Sequence, residues 1–239
     1  MSDALLYALV AAAGNVLGGV AVTRRAGTSL RIIEHTVAFG AGFMLALAFV
    51  EILPEAFTRS GPPAAALVLV GYLLVHLTQH VLTPHFHFGE ETHAVHPEAG
   101  TSALIGLLLH TFFDGVAIAS AFLVSTRLGV LVFLAILLHK LPEGVTISSL
   151  MLAGGRTRGQ AVKAAAILGL ATIAGVLLTD WVAFLVAHGL ALSAGVTIYV
   201  GASNLVPEFQ GKPGWKLPAA FFAGAGTFYV TRVLLTALA

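Results

Sequence analysis

The sequence predicts an all-α membrane protein, and its composition is the first observation that indicates this class. Of the 239 residues, 58% are hydrophobic and only 10% are charged, whereas a soluble domain carries about 25% charged residues. The second observation is that the apolar residues form runs of about 20, the length of a helix that crosses a bilayer. The chain has no cysteine, which excludes disulfides and thiolate metal sites. We expect one transmembrane domain over residues 1–239.

Eight spanning helices account for the apolar runs. Glycine and proline separate most of the runs, as they do at Gly61-Pro62-Pro63, at Gly154-Gly155 and at Pro213-Gly214. A polar loop over residues 84–100 follows the third run. The predicted spans cover roughly residues 3–22, 33–57, 62–83, 101–124, 128–152, 160–186, 190–209 and 217–238.

Basic residues predict the orientation, because cytoplasmic loops of membrane proteins are richer in Lys and Arg than external ones. The loops after the first, third, fifth and seventh spans hold or border eight of them: Arg24, Arg25, Arg31, Arg156, Arg158, Lys163, Lys212 and Lys216. The opposite side has three: Arg59, Arg127 and Arg232. Both termini are therefore expected outside the cytoplasm, in a multi-pass protein of the plasma (inner) membrane. The net charge of +1 gives no reason to expect nucleic acid as a partner.

Two pairs of predicted spans repeat each other. The second and seventh spans share three landmarks at the same spacing: Ala41-Gly42, Glu51 and Pro54-Glu55 in one, Ala194-Gly195, Asn204 and Pro207-Glu208 in the other. These spans run in opposite directions, which is typical of the inverted repeats of transporters. The fourth and fifth spans form a second pair, offset by 29 residues. We predict a 3+2+3 inverted-repeat arrangement; chance recurrence in apolar sequence is the alternative.

The fourth and fifth spans carry the clearest chemical signal near their middles. His110 precedes Asp114 by four residues, and His139 precedes Glu143 by the same distance. On a helix that spacing places both side chains on one face, about 6 Å apart along the axis. Ionisable residues at this depth are costly and functional by default, and imidazole with carboxylate suits divalent transition metals. We expect the four residues to form one midplane metal site rather than to be hydrogen-bonded core residues.

These motifs, H-x-x-x-D-G and H-x-x-P-E-G, resemble those of the ZIP family of divalent-metal transporters, prokaryotic type. Further similarities are the external termini, the segments 41–46 and 53–55 and the His-containing loop, so the resemblance covers nearly the whole chain. It implies transport of zinc, or of Fe²⁺, Mn²⁺ or Cd²⁺, into the cytosol by an elevator-like motion of helices 1, 4, 5 and 6, with no organic cofactor. It also implies His110, Asp114, His139 and Glu143 as primary ligands, Met44 as an added thioether, and a homodimer.

Two positions depart from the pattern of that family. Many relatives have Asn where Thr111 follows His110, and Asp, Glu or Asn where Lys140 follows His139; those positions help to build a second metal site. A lysine there repels a second cation, and its ammonium group can occupy that space itself. We therefore predict a transport site for a single metal ion. The alternative is that Lys140 snorkels or pairs with Asp114 or Glu143.

Other polar residues are candidates for the path of the ion. Glu51 and Glu55, toward the outer end of the second span, and Asp180, at that of the sixth, are expected to concentrate cations at the entrance. For Glu55 and Asp180, a solvated acid at the membrane surface is an equal alternative. Asn204 and Glu208 are the counterparts at the inner end and are expected to line the exit.

Histidines outside the twin motifs give weaker signals. Four lie in the cytoplasmic loop and are expected to receive or sense metal, with a polar connector as the alternative: His85, His87, His93 and His96. His76 and His80 share a face of the third span without an acid, which favours helix packing or an accessory relay. His188 is expected in an outer loop.

Two other functions compete with transport. An intramembrane zinc-dependent hydrolase also holds zinc with buried His and Asp, but it leaves a position open for water. Four symmetric ligands, an inverted repeat and the absence of an H-E-x-x-H helix favour a carrier over this enzyme. A metal sensor acting through the cytoplasmic loop is a third possibility, without a recognisable output domain.

Overall fold

The computed structural model describes residues 2–24, 30–82 and 99–237, and within these segments it contains helices but no strand. The predicted all-α class is confirmed for these residues. The loop histidines at 85, 87, 93 and 96 lie outside them. We number the helices as follows: α1 (Ser2–Arg24), α2 (Leu30–Leu47, continued by Ala48–Ile52 and Leu53–Ser60), α3 (Ala64–His76, continued by Leu77–Leu82), α4 (Ala99–Phe122), α5 (Thr126–Ala153), α6 (Arg158–Trp181), α7 (Ala183–Tyr199, continued by Val200–Leu205 and Pro207–Gln210) and α8 (Lys216–Ala237).

Seven of these helices are long and apolar enough to cross a membrane, counted over the segments that the structure describes. The remaining helix, α3, has a shorter apolar stretch, Ala64–His80. The chain is therefore a multi-pass membrane protein. Pro142 lies inside α5 without interrupting it.

The boundary between the sixth and seventh spans differs from the prediction. The prediction ended the sixth span near residue 186, whereas α6 ends at Trp181 and α7 begins at Ala183. Only Val182, with φ −105° and ψ 104°, leaves the helical conformation. Apolar residues flank this break and no glycine or proline marks it, so hydropathy could not locate it. The prediction of His188 in an outer loop is wrong, since His188 lies within α7.

Local signals explain where α5 and α6 begin. The hydroxyl of Ser125 accepts a hydrogen bond from the backbone N–H of Leu128 at 3.2 Å, which caps α5. Thr157 and Gln160 form a reciprocal capping box at the start of α6. These caps satisfy backbone donors that a helix end leaves unpaired and fix the register of both helices.

The helices pack into two groups. One group contains α1, α4, α5 and α6, and the other contains α2, α3, α7 and α8. Contacts of α5 with α2 and of α4 with α7 join the groups. The fourth and fifth helices, which carry the twin motifs, therefore meet each other within one group and face the other group.

Close backbone approaches recur at constant sequence offsets in the second group. A Cβ atom added to Gly42 on α2 would lie 1.9 Å from the carbonyl oxygen of Phe221 on α8. A Cβ added to Gly195 on α7 would lie 1.9 Å from the carbonyl oxygen of Val68 on α3. Gly195 lies 153 positions after Gly42, and Phe221 lies 153 positions after Val68, so the two crossings are related by one constant offset. A second pair of contacts, Gly71 with Leu192 and Gly224 with Phe39, keeps the same offset.

The first group contains an equivalent pair of crossings. A Cβ on Gly115 of α4 would lie 1.9 Å from the carbonyl oxygen of Thr172 on α6, and a Cβ on Gly144 of α5 would lie 2.0 Å from that of Asn15 on α1. These glycines follow Asp114 and Glu143 directly. Because only glycine allows such approaches, they fix the acid-bearing turns of α4 and α5 against α6 and α1.

Two π-helical turns also occupy equivalent positions. Ala48–Ile52 in α2 precedes Pro54, and Val200–Leu205 in α7 precedes Pro207. Proline lacks an N–H and clashes with the carbonyl four residues earlier, so the wider turn accommodates the ring. The two turns carry Glu51 and Asn204, the polar landmarks of the predicted repeat.

Candidate metal centre

The structure brings together the four residues that the twin motifs single out. His110 and Asp114 on α4 and His139 and Glu143 on α5 each offer a ligand atom, and these atoms all lie within 4.8 Å of one another. All four side chains are buried, with at most 4% of each residue exposed. The four-residue spacing places each histidine and its acid on one face of their helix, and contacts between the two pairs show that these faces of α4 and α5 meet.

Each histidine faces the acid of the opposite helix. Nε2 of His110 lies 3.3 Å from Oε1 of Glu143, and Nε2 of His139 lies 3.3 Å from Oδ2 of Asp114. A tetrahedral ion with bonds of about 2.0–2.1 Å holds its ligand atoms about 3.3 Å apart. Both pairs therefore have the spacing that such an ion requires.

The hydrogen bond of His139 defines which ring nitrogen is available. Nδ1 lies 3.1 Å from the carbonyl oxygen of Ala135, so this nitrogen carries the hydrogen and donates it. In the neutral ring, Nε2 is then an acceptor that faces a carboxylate oxygen of Asp114. Two acceptors at 3.3 Å need a proton or a cation between them, and a divalent ion satisfies both.

Lys140 lies inside the same cluster and is fully buried. Its Nζ is 2.7 Å from Oδ2 of Asp114 and 2.7 Å from Oε2 of Glu143. The geometry thus matches the alternative in which Lys140 pairs with the acids, and it pairs with both at once. The ammonium group cancels one of the two negative charges and crosslinks α4 to α5.

Thr111 supports the same carboxylate from α4. Its hydroxyl donates a hydrogen bond of 2.6 Å to Oε1 of Glu143. Oε1 also faces His110, whereas Oε2 faces Lys140. The two positions at which the chain departs from the ZIP pattern, 111 and 140, therefore both contact Glu143.

A cavity of about 70 Å³ adjoins the cluster. Its walls include His110, His139 and Glu143 of the cluster and, from the other helix group, Glu34, Asn204 and Glu208. The latter residues lie near the start of α2 and the end of α7, the ends predicted to face the cytoplasm. Further wall residues are Ile33, Val37, Pro142, Thr146, Val200, Leu205 and Phe209.

Two carboxylates lie where the cavity approaches those helix ends. Glu34 pairs with Lys212, whose Nζ lies 2.8 Å from its Oε1. Among the residues that the structure describes, neither Oε1 of Glu208 nor the buried Nδ2 of Asn204 has a hydrogen-bond partner. The sequence predicts Asn204 and Glu208 along this path, whereas Glu34 is not among the predicted path residues.

The remaining candidate residues belong neither to the four-residue cluster nor to the lining of the cavity. Met44 is buried in the apolar core, its sulfur 3.7 Å from where a Cβ on Gly201 would be. Glu55 is half-buried and Asp180 is exposed. Glu51 forms ion pairs with Arg127 and Arg232, which sequence reasoning counted only for orientation. These partners are far apart in the chain, so no local pattern indicates the contact.

Comparison with known proteins adds one finding. A family model described as "ZIP Zinc transporter" matches residues 96–230, more than half of the chain. This stretch contains all four residues of the cluster together with Thr111 and Lys140. No curated protein matches the chain significantly.

Proposed function

Because the chain belongs to the ZIP zinc transporter family, we propose that it moves zinc, or a related divalent ion, into the cytosol. Members of this family are transporters of metal ions and not enzymes, so the intramembrane hydrolase is set aside. The single observation that carries the proposal is the buried cluster of two histidines and two acids beside a cavity. A site that is buried in the membrane yet adjoins a path to one surface suits a carrier.

The proposed transport site uses His110, Asp114, His139 and Glu143 as its ligands. Their cross-helix spacing of 3.3 Å in both histidine–acid pairs supports a tetrahedral ion. The same donors also suit Fe²⁺, Mn²⁺ or Cd²⁺, and zinc is placed first because of the family. In this proposal the metal is the substrate that passes through.

The proposed stoichiometry is one ion. Lys140 already places a positive charge between the two carboxylates, 2.7 Å from each. A divalent ion that binds them must displace or share these contacts, and a second ion beside the ammonium would be repelled. The lysine thus limits the site to one metal and favours its release.

The proposed mechanism alternates access between the two membrane surfaces through a 3+2+3 inverted repeat. Two observations support the repeat. Close glycine–carbonyl contacts recur at constant sequence offsets, and π-helical turns lie at equivalent places in α2 and α7. The packing of α1, α4, α5 and α6 into one group supports an elevator-like motion of that group past the other. Both termini would lie outside the cytoplasm of the plasma (inner) membrane.

The proposed path extends from the cluster in both directions. Toward the cytosol, Asn204 and Glu208 line the exit, and Glu34 joins them at the cavity wall. Glu55 and Asp180 attract cations at the entrance, and the loop histidines receive metal inside. We also propose that the transporter is a homodimer.

Zinc uptake into liposomes that contain a zinc-sensitive dye tests the proposed function. We expect the purified protein to carry zinc and His139→Ala to abolish the flux, because the variant lacks one nitrogen ligand. His188→Ala is the matched control, since His188 lies on α7 and bonds Ser60 rather than the cluster. Flux that survives in His139→Ala, or that is absent from the unmodified protein, contradicts the proposal.

A further inference from the structure

A third buried carboxylate, Glu51, lies outside the candidate metal centre and has two arginine partners. The guanidinium of Arg127 binds it with two parallel contacts, Nη1 to Oε1 at 3.0 Å and Nη2 to Oε2 at 3.1 Å. Nε of Arg232 contacts Oε1 as well. The side chain of Glu51 is 10% exposed, whereas those of Arg127 and Arg232 are 29% and 40% exposed. We call these three residues the Glu51 cluster.

The Glu51 cluster joins the two helix groups. Arg127 is the second residue of α5 and belongs to the group that carries the metal centre. Glu51 and Arg232 lie on α2 and α8, which belong to the other group. The pair of Arg127 with Glu51 therefore crosses between groups, while the pair of Arg232 with Glu51 stays within one.

Asn204, the repeat counterpart of Glu51, lines the cavity instead of forming ion pairs. Asn204 occupies the matching place in the π-helical turn of α7, 153 positions later. It lines the cavity, and its buried Nδ2 has no hydrogen-bond partner within the described part of the chain. One polar landmark is thus held by ion pairs where the groups meet at the predicted outer end. The other faces the cavity toward the predicted inner end.

We propose that Arg127 and Glu51 form a latch that closes the outer end of the transporter while the inner cavity is open. This inference rests on the proposed function, since it assigns the latch to one state of the transport cycle. When the helix groups move, Arg127 leaves with α5 and Glu51 comes to line the outer path, as Asn204 lines the inner one.

The second arginine makes such a latch reversible. Removing the only partner of a buried carboxylate leaves an uncompensated charge, which is strongly unfavourable. Arg232 remains beside Glu51 on the same helix group, so the acid keeps one counter-ion after Arg127 departs. Arg127 therefore sets the balance between the two states, and Arg232 stays paired with Glu51 in both.

Thiol labelling tests the latch directly, because the chain contains no cysteine of its own. Val37→Cys places a reporter in the cavity wall, and its reaction rate with a polar thiol reagent in detergent measures how often the cavity is open. Arg127→Leu on this background should lower the rate on the order of fivefold, because the inner-open state loses its latch. Arg232→Leu should leave the rate at or above that of the parent, since the latch persists. Arg59→Leu, an exposed arginine near the same end, is the control.

Four results would overturn the latch. An unchanged rate in Arg127→Leu contradicts it, and so does an equal fall in Arg127→Leu and Arg232→Leu, which indicates only a loosened structure. Arg127→Lys keeps the positive charge but loses the bidentate contact, so its labelling rate should be intermediate. A rate as low as that of Arg127→Leu contradicts the latch, and so does a rate as high as that of the parent. Arg127→Lys carries the test alone if the leucine variant does not fold. Zinc flux by the parent protein is measured separately, so labelling that follows the prediction without flux refutes the proposed function but not the latch.

Discussion

The two halves of the candidate metal centre offer the same ligand types but are supported differently. On α5, the ring of His139 is oriented by its bond to the carbonyl oxygen of Ala135. On α4, Nδ1 of His110 is buried and has no hydrogen-bond partner in residues 2–24, 30–82 and 99–237. The α5 half also supplies the ammonium group of Lys140, whereas the α4 half supplies the hydroxyl of Thr111.

The twin motifs thus carry the same candidate ligands on both helices, while the residues around those candidates differ. The repeat places a histidine and an acid at matching points of two helices, and the residue after each histidine then differentiates the halves. Both of these residues contact Glu143, so that acid is held from both helices. We therefore expect α5 to fix the ion and α4 to be the more adjustable partner.

The largest effect should come from comparing the two histidines. His139→Ala removes an oriented ligand and should weaken zinc binding about 100-fold, whereas His110→Ala removes an unsupported ring and should weaken it about tenfold. Isothermal titration of each variant in detergent measures both constants. Equal losses, or the larger loss in His110→Ala, would show that ring orientation does not distinguish the halves.

Loss of the buried ammonium should have the next largest effect, and in the opposite direction. Lys140→Met keeps most of the side-chain volume but removes the charge that competes for Asp114 and Glu143. Zinc should then bind about tenfold more tightly and leave more slowly, so affinity rises while turnover in liposomes falls. Lys163→Met, at an exposed position on α6, is the control. Weaker binding in Lys140→Met would mean that the lysine supports the ligands rather than competing with the ion.

Thr111 should have a smaller effect because it acts only on Glu143. Thr111→Val keeps the shape of the side chain but removes the 2.6 Å hydrogen bond, which should weaken zinc binding about threefold to tenfold. Thr111→Ser retains the hydroxyl and should restore the affinity of the parent. If serine and valine behave alike, the hydrogen bond has no part in binding.

Met44 should have the smallest effect. The structure places it in the apolar core, where leucine has a similar volume, so Met44→Leu should change zinc affinity less than about twofold. A loss of tenfold or more in the same titration would assign the thioether to the ion, as the resemblance to the family implied.

Much of the arrangement follows from the sequence because it rests on local periodicity. The four-residue spacing places His110 with Asp114 and His139 with Glu143, and their recurrence 29 residues apart indicates that the two faces meet. The contact of Lys140 was left open between snorkelling and pairing, because spacing does not define where a long side chain ends. The α6–α7 break at Val182 and the ion pairs of Glu51 were missed, since neither leaves a local pattern.

Anomalous diffraction at the zinc absorption edge, from crystals of the unmodified protein grown with zinc, tests the central claim most directly. The claim is that one ion binds between His110, Asp114, His139 and Glu143 while Lys140 excludes a second. One anomalous peak should lie about 2.0–2.2 Å from a ligand atom of each of the four side chains. A cluster without a peak, or a second peak beside Lys140 at the same depth, would contradict the account.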